Sequence, residues 1–225
     1  MIKRIFNKLN FLALKSSVQS QEHFTARKPF DQLDSKLIRE SSARLEPYYL
    51  EYVREISSPE MAASLELASF MFSLCKINRY HNLLDLGSGL SSFVFRLYAK
   101  EEPGVTVYSI DDDAAWLDKT RSYLAKYELD TSNMYTLDEF LKMNEQNFDC
   151  ILHDLNFVEV RINYVEQIMG LAAKKGLIIF DDVHKPDYLR ALLVKLKQFE
   201  AEKYDVKPLT NDAYGRFSLA VLNGK

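Results

Sequence analysis

The stretch "NLLDLGSGLSS", Asn82 to Ser92, decides the fold. "NLLDLG" is a short apolar run ending in Asp85-Leu86-Gly87, the length and composition of a buried strand. Gly87 and Gly89 flank Ser88 where the chain has to reverse, and glycine lets a backbone turn tightly and approach a ligand. Residues 91–100, "SSFVFRLYAK", then read as a helix. Strand, glycine loop and helix in that order open a parallel β-α-β unit.

The same alternation continues downstream. "VTVYSI" (105–110) is β-branched and apolar, and "AAWLDKTRSYLAKY" after it is helical. "NMYTL" is a further short strand. "FDCILHDL" is a strand, "VRINYVEQIMGLAAKK" a helix, and "GLIIFDD" (176–182) another strand. Residues 185–200 form a helix with Leu189, Leu192, Leu193 and Leu196 on one side. This pattern predicts an α/β, Rossmann-like, doubly wound and mostly parallel sheet covered on both faces. The tail departs from it: "YDVKPLT" and "RFSLAVL", joined by "NDAYG", are two strands with no helix between them and predict one antiparallel strand at the end of the sheet.

Upstream, the pattern weakens. We expect an N-terminal helical arm over residues 1–58 and the α/β domain over 59–225. "MIKRIFNKLNFLALKSS" spaces Ile2, Ile5, Phe6 and Leu9 like one face of a helix, with Lys3, Arg4 and Lys8 between them. That helix packs on the domain, on a second copy in a homodimer, or on a membrane surface. Residues 16–44 are polar and mixed. In "SSPEMAASLELASFMFSLCK", Ser58 with Pro59 predicts a helix start.

Composition narrows the class. A chain of 225 residues with 47% hydrophobic content can build a sizeable core. A net charge of -3 leaves no nucleic-acid footprint. Cys75 and Cys150, the only cysteines, both lie in apolar runs, which points to a reducing cytoplasm. No apolar run approaches the roughly 20 residues that span a bilayer.

In a doubly wound sheet, ligands bind beyond the carboxyl ends of the strands. The first such end offers Asp85 and the loop Gly87-Ser88-Gly89. The second, "SIDDDAAW", offers Asp111 to the two hydroxyls of a ribose; Asp112 and Asp113 either join it on the cofactor or cap the next helix. The third ends in His153-Asp154 and the fourth in Asp181-Asp182, followed by His184. A dinucleotide loop usually carries a third glycine, where this chain has Ser92. Asp85 before the loop suits a cation better than a phosphate. S-adenosylmethionine, with a ribose and a positively charged amino-acid end, fits that chemistry.

"LLDLGSG", "VYSID", "FDCILHD" and "GLIIFDD" in this order resemble the successive motifs of class I S-adenosylmethionine-dependent methyltransferases over about residues 60 to 222. The resemblance implies a seven-stranded sheet closed by a reversed hairpin, Asp85 and Gly87 near the methionine end of the cofactor, and Asp111 on the ribose. Trp116 either packs near the adenine or belongs to the core. The acidic strand ends are similar to those of metal-dependent O-methyltransferases of the catechol and macrolide-sugar types, which implies Asp154, Asp181 and Asp182 as ligands of Mg²⁺ or Mn²⁺ and a small-molecule or sugar hydroxyl as acceptor. The same aspartates otherwise hold a polar substrate, or cap the helix that follows. The lysine base of the catechol enzymes is absent, since Leu155, Asn156 and Phe157 follow Asp154. His184 is the candidate base, with Asp154 beside it in catalysis, and His153 is either a second base or cofactor contact or a packed core histidine. Tyr214 and Arg216 are expected at the rim. Competing functions are methylation of protein or nucleic acid, against which "HDLN" stands where a "DPPY"-like tetrapeptide would, a nucleotide-sugar or NAD enzyme, and a ligand-binding member without catalysis.

Overall fold

A computed structural model describes residues 11–20, 27–143, 145 and 147–224. The predicted N-terminal face of Ile2, Ile5, Phe6 and Leu9 lies outside the described residues. Eight strands and eight helices carry the argument. The strands are β1 (Val18–Gln19), β2 (Asn82–Leu86), β3 (Thr106–Asp111), β4 (Met134–Thr136), β5 (Phe148–His153), β6 (Ala172–Phe180), β7 (Ala201–Asp205) and β8 (Leu219–Asn223). The helices are α1 (Ser35–Glu55), α2 (Leu65–Asn78), α3 (Leu90–Glu101), α4 (Ala114–Lys126), α5 (Leu137–Phe140), α6 (Val158–Leu171), α7 (Pro186–Leu196) and α8 (Lys207–Thr210).

Among the described residues the strands form one sheet in the order β1-β7-β8-β6-β5-β2-β3-β4. All pairs are parallel except those of β8, which runs against both β6 and β7. The antiparallel strand therefore does not stand at the margin: it is inserted between its two neighbours, and β7 and the two-residue β1 lie outside it. The expected hairpin is also interrupted, because Lys207–Thr210 make one helical turn where the sequence pattern continued a strand.

Side-chain alternation divides the core between the two faces of the sheet. Leu83, Cys150, Leu152, Leu177, Ile179 and Ala220 pack with α1, α2 and α3. Leu84, Ile151, Ile178, Phe180 and Val221 point the other way, onto α6 and α7. Strands buried on both sides read as nearly unbroken apolar runs, and this is why they were visible in the sequence.

Two helix boundaries move. Ser58 does not start α2; Ser64 does, its Oγ accepting the Leu67 amide at 3.1 Å. The Ser58 carbonyl accepts only the amides of Met61 and Ala62. Residues 58–63 are therefore an isolated turn, and Met61 is 78% exposed. The stretch 16–44, read as weakly patterned, leads into the 21-residue α1, capped by Asp34 on the Leu37 amide.

Register sets up the site. Leu86 pairs with Ile110 on one side and His153 on the other, and His153 pairs with Phe180. Four strands thus end level, and the residues Asp111, Gly87, Asp154 and Asp181 stand in a row along the carboxyl edge.

Candidate active site

A cavity of about 360 Å³ opens at that edge. Its floor is the loop Gly87-Ser88-Gly89 and its walls are Asp111, Asp112, Asp113 and Trp116 on one side and Asp154, Asn156 and Arg161 on the other. Tyr52 from α1 and the turn with Ser57, Met61, Ala62 and Ala63 cover it.

The loop is built for close approach. Gly87 has φ +104°, and a Cβ there would collide with the carbonyl oxygen of Asp154. Ser88 donates its amide (2.8 Å) and its hydroxyl (3.0 Å) to Asp111 Oδ2, while Trp116 Nε1 donates to the Ser88 carbonyl at 2.7 Å. Asp111 Oδ1 accepts the Asp113 amide at 3.0 Å. Burial raises the Asp111 carboxyl above the usual range despite these donors. Asp113 is the N-cap of α4, accepting the amides of Ala115 and Trp116. That leaves Asp112 as the exposed carboxylate at the mouth, where it accepts the Asn156 amide side chain.

Asp85 is fully buried below the loop and does not line the cavity. It accepts the Ser92 hydroxyl at 2.5 Å, and Ser92 in turn lies 3.3 Å from the Gly89 amide. Its role in the structure is to brace the loop from beneath, and burial pushes it up to about 7. His153 is also fully buried, with Nε2 3.0 Å from the Arg161 carbonyl and its ring edge-on to Phe180. Burial lowers it to about 4, so it is a neutral packed histidine away from the cavity wall.

Arg161, on the first turn of α6, was not singled out from the sequence. A charged residue in an amphipathic helix reads as solvated, yet Arg161 is 6% exposed. Its Nη2 lies 2.6 Å from Asp154 Oδ1, and Nη1 lies 3.3 Å from Asp182 Oδ2. Nε donates to the carbonyls of Leu155 and Asn156 at 3.1 Å each, and Nη2 also to Asn156 at 2.9 Å. The Asp181 carbonyl is 3.5 Å from Nη1.

The three aspartates implied as metal ligands are brought to adjacent strand ends, but they do not fit a divalent ion. Asp181 turns its side chain away and accepts the Ser218 hydroxyl at 2.7 Å. Asp182 adopts φ +61° and faces Lys185 at 2.8 Å and His184 at 3.5 Å besides Arg161. Burial would raise the Asp182 carboxyl, and Lys185, Arg161 and His184 together hold it below its usual range. Among the described residues, no group of three or more His, Cys, Asp or Glu side chains is arranged to hold a metal.

Asp154 alone of these aspartates lines the cavity. Burial pushes it up to about 8 against the pull of Arg161, with Asp181, Asp182 and Asp85 adding to the rise. His184 is not on the cavity wall; it sits beside Asp182 with its ring 6.5 Å from Phe217. Tyr214 and Arg216 do not reach the cavity either. They hold its cover: Tyr214 Oη contacts Glu60 Oε1 at 3.2 Å, and Arg216 donates to the carbonyls of Glu60 (2.6 Å) and Pro59 (2.9 Å). Tyr52 was missed because it lies in the weakly patterned N-terminal arm, and the 57–63 turn because residues from Ser58 read as the start of a helix.

The level strand ends, the glycine loop at the switch of the sheet and the inserted antiparallel strand define a class I methyltransferase. The chain belongs to the methyltransferase domain family, whose model matches residues 77–215, more than half of its length. Solved structures agree on the fold. The O-methyltransferase from Bacillus cereus, in complex with SAH, gives a TM-score of 0.58 at 15% identity over 94% of this chain and 100% of that one. An SAH-bound methyltransferase from Podospora anserina gives 0.60 at 14% identity, covering 88% and 98%. The tRNA (m1A58) methyltransferase from Aquifex aeolicus gives 0.50 at 13%, covering 72% and 70%. A comparison with curated proteins found no matching sequence. No helix among the described residues is long and apolar enough to cross a membrane.

Proposed function

We propose that this chain transfers a methyl group from S-adenosylmethionine to a hydroxyl of a small molecule or sugar. The observation that carries the reading is the row Asp111, Gly87 and Asp154 lining one cavity, with the glycine loop between two carboxylates. Gly87 and Gly89 present bare backbone to the cavity, since the chain at Gly87 passes too close to Asp154 for a side chain, and such a loop suits the amino-acid end of the cofactor. Asp112, exposed at the mouth beside the pinned Asp111, suits the ribose hydroxyls. Trp116 is fixed against the loop and walls the adenine end. Bound there, S-adenosylmethionine supplies a methyl group on a positively charged sulfur, and an attacking oxygen takes it as the sulfur–carbon bond breaks and its electron pair returns to sulfur.

The chain's own task is then alignment and removal of the hydroxyl proton. Asp154 is the best placed base, since it reaches the cavity and burial makes it more basic than an exposed carboxylate. Arg161 orients it from behind. His184 has no such access. The O-methyltransferases among the similar folds support an oxygen acceptor. Four aspartates on the wall, Asp111, Asp112, Asp113 and Asp154, argue against a nucleic-acid acceptor, whose phosphates they would repel. Cys75 and Cys150, buried and free, suit a cytoplasmic enzyme.

Isothermal titration calorimetry with S-adenosylmethionine and its demethylated product tests the reading. Binding that is lost in Asp111→Ala supports it. Absence of heat with either ligand in the folded chain would overturn it.

A further inference from the structure

We infer that Arg161 is a built-in cation taking the place of a divalent metal at these strand ends, so that methyl transfer proceeds here without a metal. The inference rests on the methyltransferase reading above. Adjacent carboxylates at the ends of β5 and β6 repel one another unless a positive charge lies between them. In this chain the charge is covalently supplied. The guanidinium sits between Asp154 and Asp182, 2.6 Å and 3.3 Å away, at 6% exposure. Its remaining N–H groups are committed to the carbonyls of Leu155, Asn156 and Asp181, so it is held on all sides. A planar fork fits two carboxylates and a ring of carbonyls in a way a spherical ion with octahedral demands does not.

The third carboxylate is engaged elsewhere. Asp181 accepts the Ser218 hydroxyl through Oδ1 at 2.7 Å and makes no ion pair with Arg161 among the described residues, though its charge still raises Asp154. Asp182 reaches Arg161 only by adopting a left-handed backbone, which costs about 1 kcal/mol for a non-glycine residue. Strain of that kind persists where the surrounding contacts over-determine it, and Arg161, Lys185 and His184 all meet this one carboxylate.

A consequence for the acceptor follows. A metal-dependent enzyme chelates two adjacent oxygens, whereas a saturated guanidinium offers the acceptor no open coordination position. The acceptor is then presented to Asp154 through one hydroxyl, and a neighbouring hydroxyl is not required.

The test uses the full chain and the metal itself as probe. Mn²⁺ is titrated into the wild type, into Arg161→Ala and into Arg161→Gln, and free Mn²⁺ is read by electron paramagnetic resonance. S-adenosylmethionine binding is measured by calorimetry with Mg²⁺ and with EDTA. We expect no Mn²⁺ bound by the wild type, cofactor affinity within twofold in Mg²⁺ and EDTA, and about one Mn²⁺ gained by Arg161→Ala, with Arg161→Gln replacing it if the alanine variant does not fold. Stoichiometric Mn²⁺ binding by the wild type would overturn the inference, as would a folded variant at position 161 that gains none. Loss of cofactor binding in every condition would instead refute the methyltransferase reading, leaving the metal result to stand by itself.

Discussion

Asp111 Oδ2 accepts both the amide and the hydroxyl of Ser88, at 2.8 and 3.0 Å, so the glycine loop and the end of β3 are one rigid unit. The residue expected to hold the ribose is first of all the anchor of the glycine loop. Asp111→Ala removes the acceptor for three donors, Ser88 N–H, Ser88 O–H and Asp113 N–H. Leaving buried donors unpaired costs about 1–3 kcal/mol each. We expect cofactor affinity to fall by on the order of 100-fold, about 2.7 kcal/mol, together with a lower melting temperature. Calorimetry separates the outcomes: unchanged affinity would show that the loop holds its shape without Asp111.

Gly87→Ala is expected to be more severe than a glycine substitution in an open loop. The residue has φ +104° and faces the backbone of Asp154, which itself is fixed by the hydrogen bond its N–H donates to the Leu86 carbonyl at 2.7 Å. Neither side can yield without shifting β2 against β5. The variant should lose about 3 kcal/mol or more in urea denaturation and bind no cofactor. Gly215→Ala is the control: Gly215 also has positive φ (+76°), but nothing lies within 4 Å of its Cβ position. Only backbone strain acts there, and about 1 kcal/mol is expected.

Asp154 gives the reaction a pH signature. Burial raises its carboxyl to about 8, and the base is active only when ionised. The rate of methyl transfer should therefore rise about tenfold per pH unit below pH 8 and level off above it. Asp154→Asn should be lower by on the order of 10²–10⁴ and should lose that rise. Stability moves in the opposite sense. A carboxyl raised in the folded state contributes fully below its unfolded value of about 3.9, and that contribution is lost as pH rises through about 8. Wild type should lose stability across that window and Asp154→Asn should lose less, the remainder coming from the raised carboxyls of Asp85 and Asp111, with chemical denaturation at pH 5 and pH 9 as the check. A rate profile independent of pH between 6 and 9 would remove Asp154 from the chemistry.

The parts of this site that the sequence revealed are those carried by buried parallel strands. "NLLDLG", "VTVYSID", "FDCILHD" and "GLIIFDD" each end in an acidic or glycine residue, and a doubly wound sheet aligns such ends, so Asp111, Gly87 and Asp154 were expected at one edge and line one cavity. What escaped was contact between segments with no common periodicity. Arg161 looks like any charge on an amphipathic helix until the turn at Asn156, with φ +39°, folds the start of α6 back over Asp154. Ser58-Pro59 carries a helix-start signal as good as that of Ser64, and only the packing of Leu67, Ala68 and Phe70 to Cys75 on the sheet decides between them. His184 and Asp181 were expected in the site because they follow the right strand. A strand end fixes where a residue begins, but the direction of its side chain is set by backbone turns such as that of Asp182, which sequence spacing does not encode.

The cover of the cavity is held at a distance by Arg216, which donates to the carbonyls of Glu60 and Pro59 and is itself anchored to Asp212 Oδ2 at 2.6 Å. The turn it grips carries Met61, 78% exposed on the cavity wall. Arg216→Ala removes two charge-assisted bonds between β8's approach and this turn, worth about 1.5–3 kcal/mol each when fully formed. Partly exposed at the rim, they should contribute at the low end of that range to global stability. The larger effect should be local. Amides of residues 58–63 should exchange faster with solvent, and cofactor affinity should drop about tenfold, about 1.4 kcal/mol, because the free turn no longer closes over Gly89. Arg216→Lys should restore one bond and part of the protection. Exchange rates in 58–63 unchanged by Arg216→Ala would mean that Tyr52 and Ala62, packed in the core, hold the cover alone.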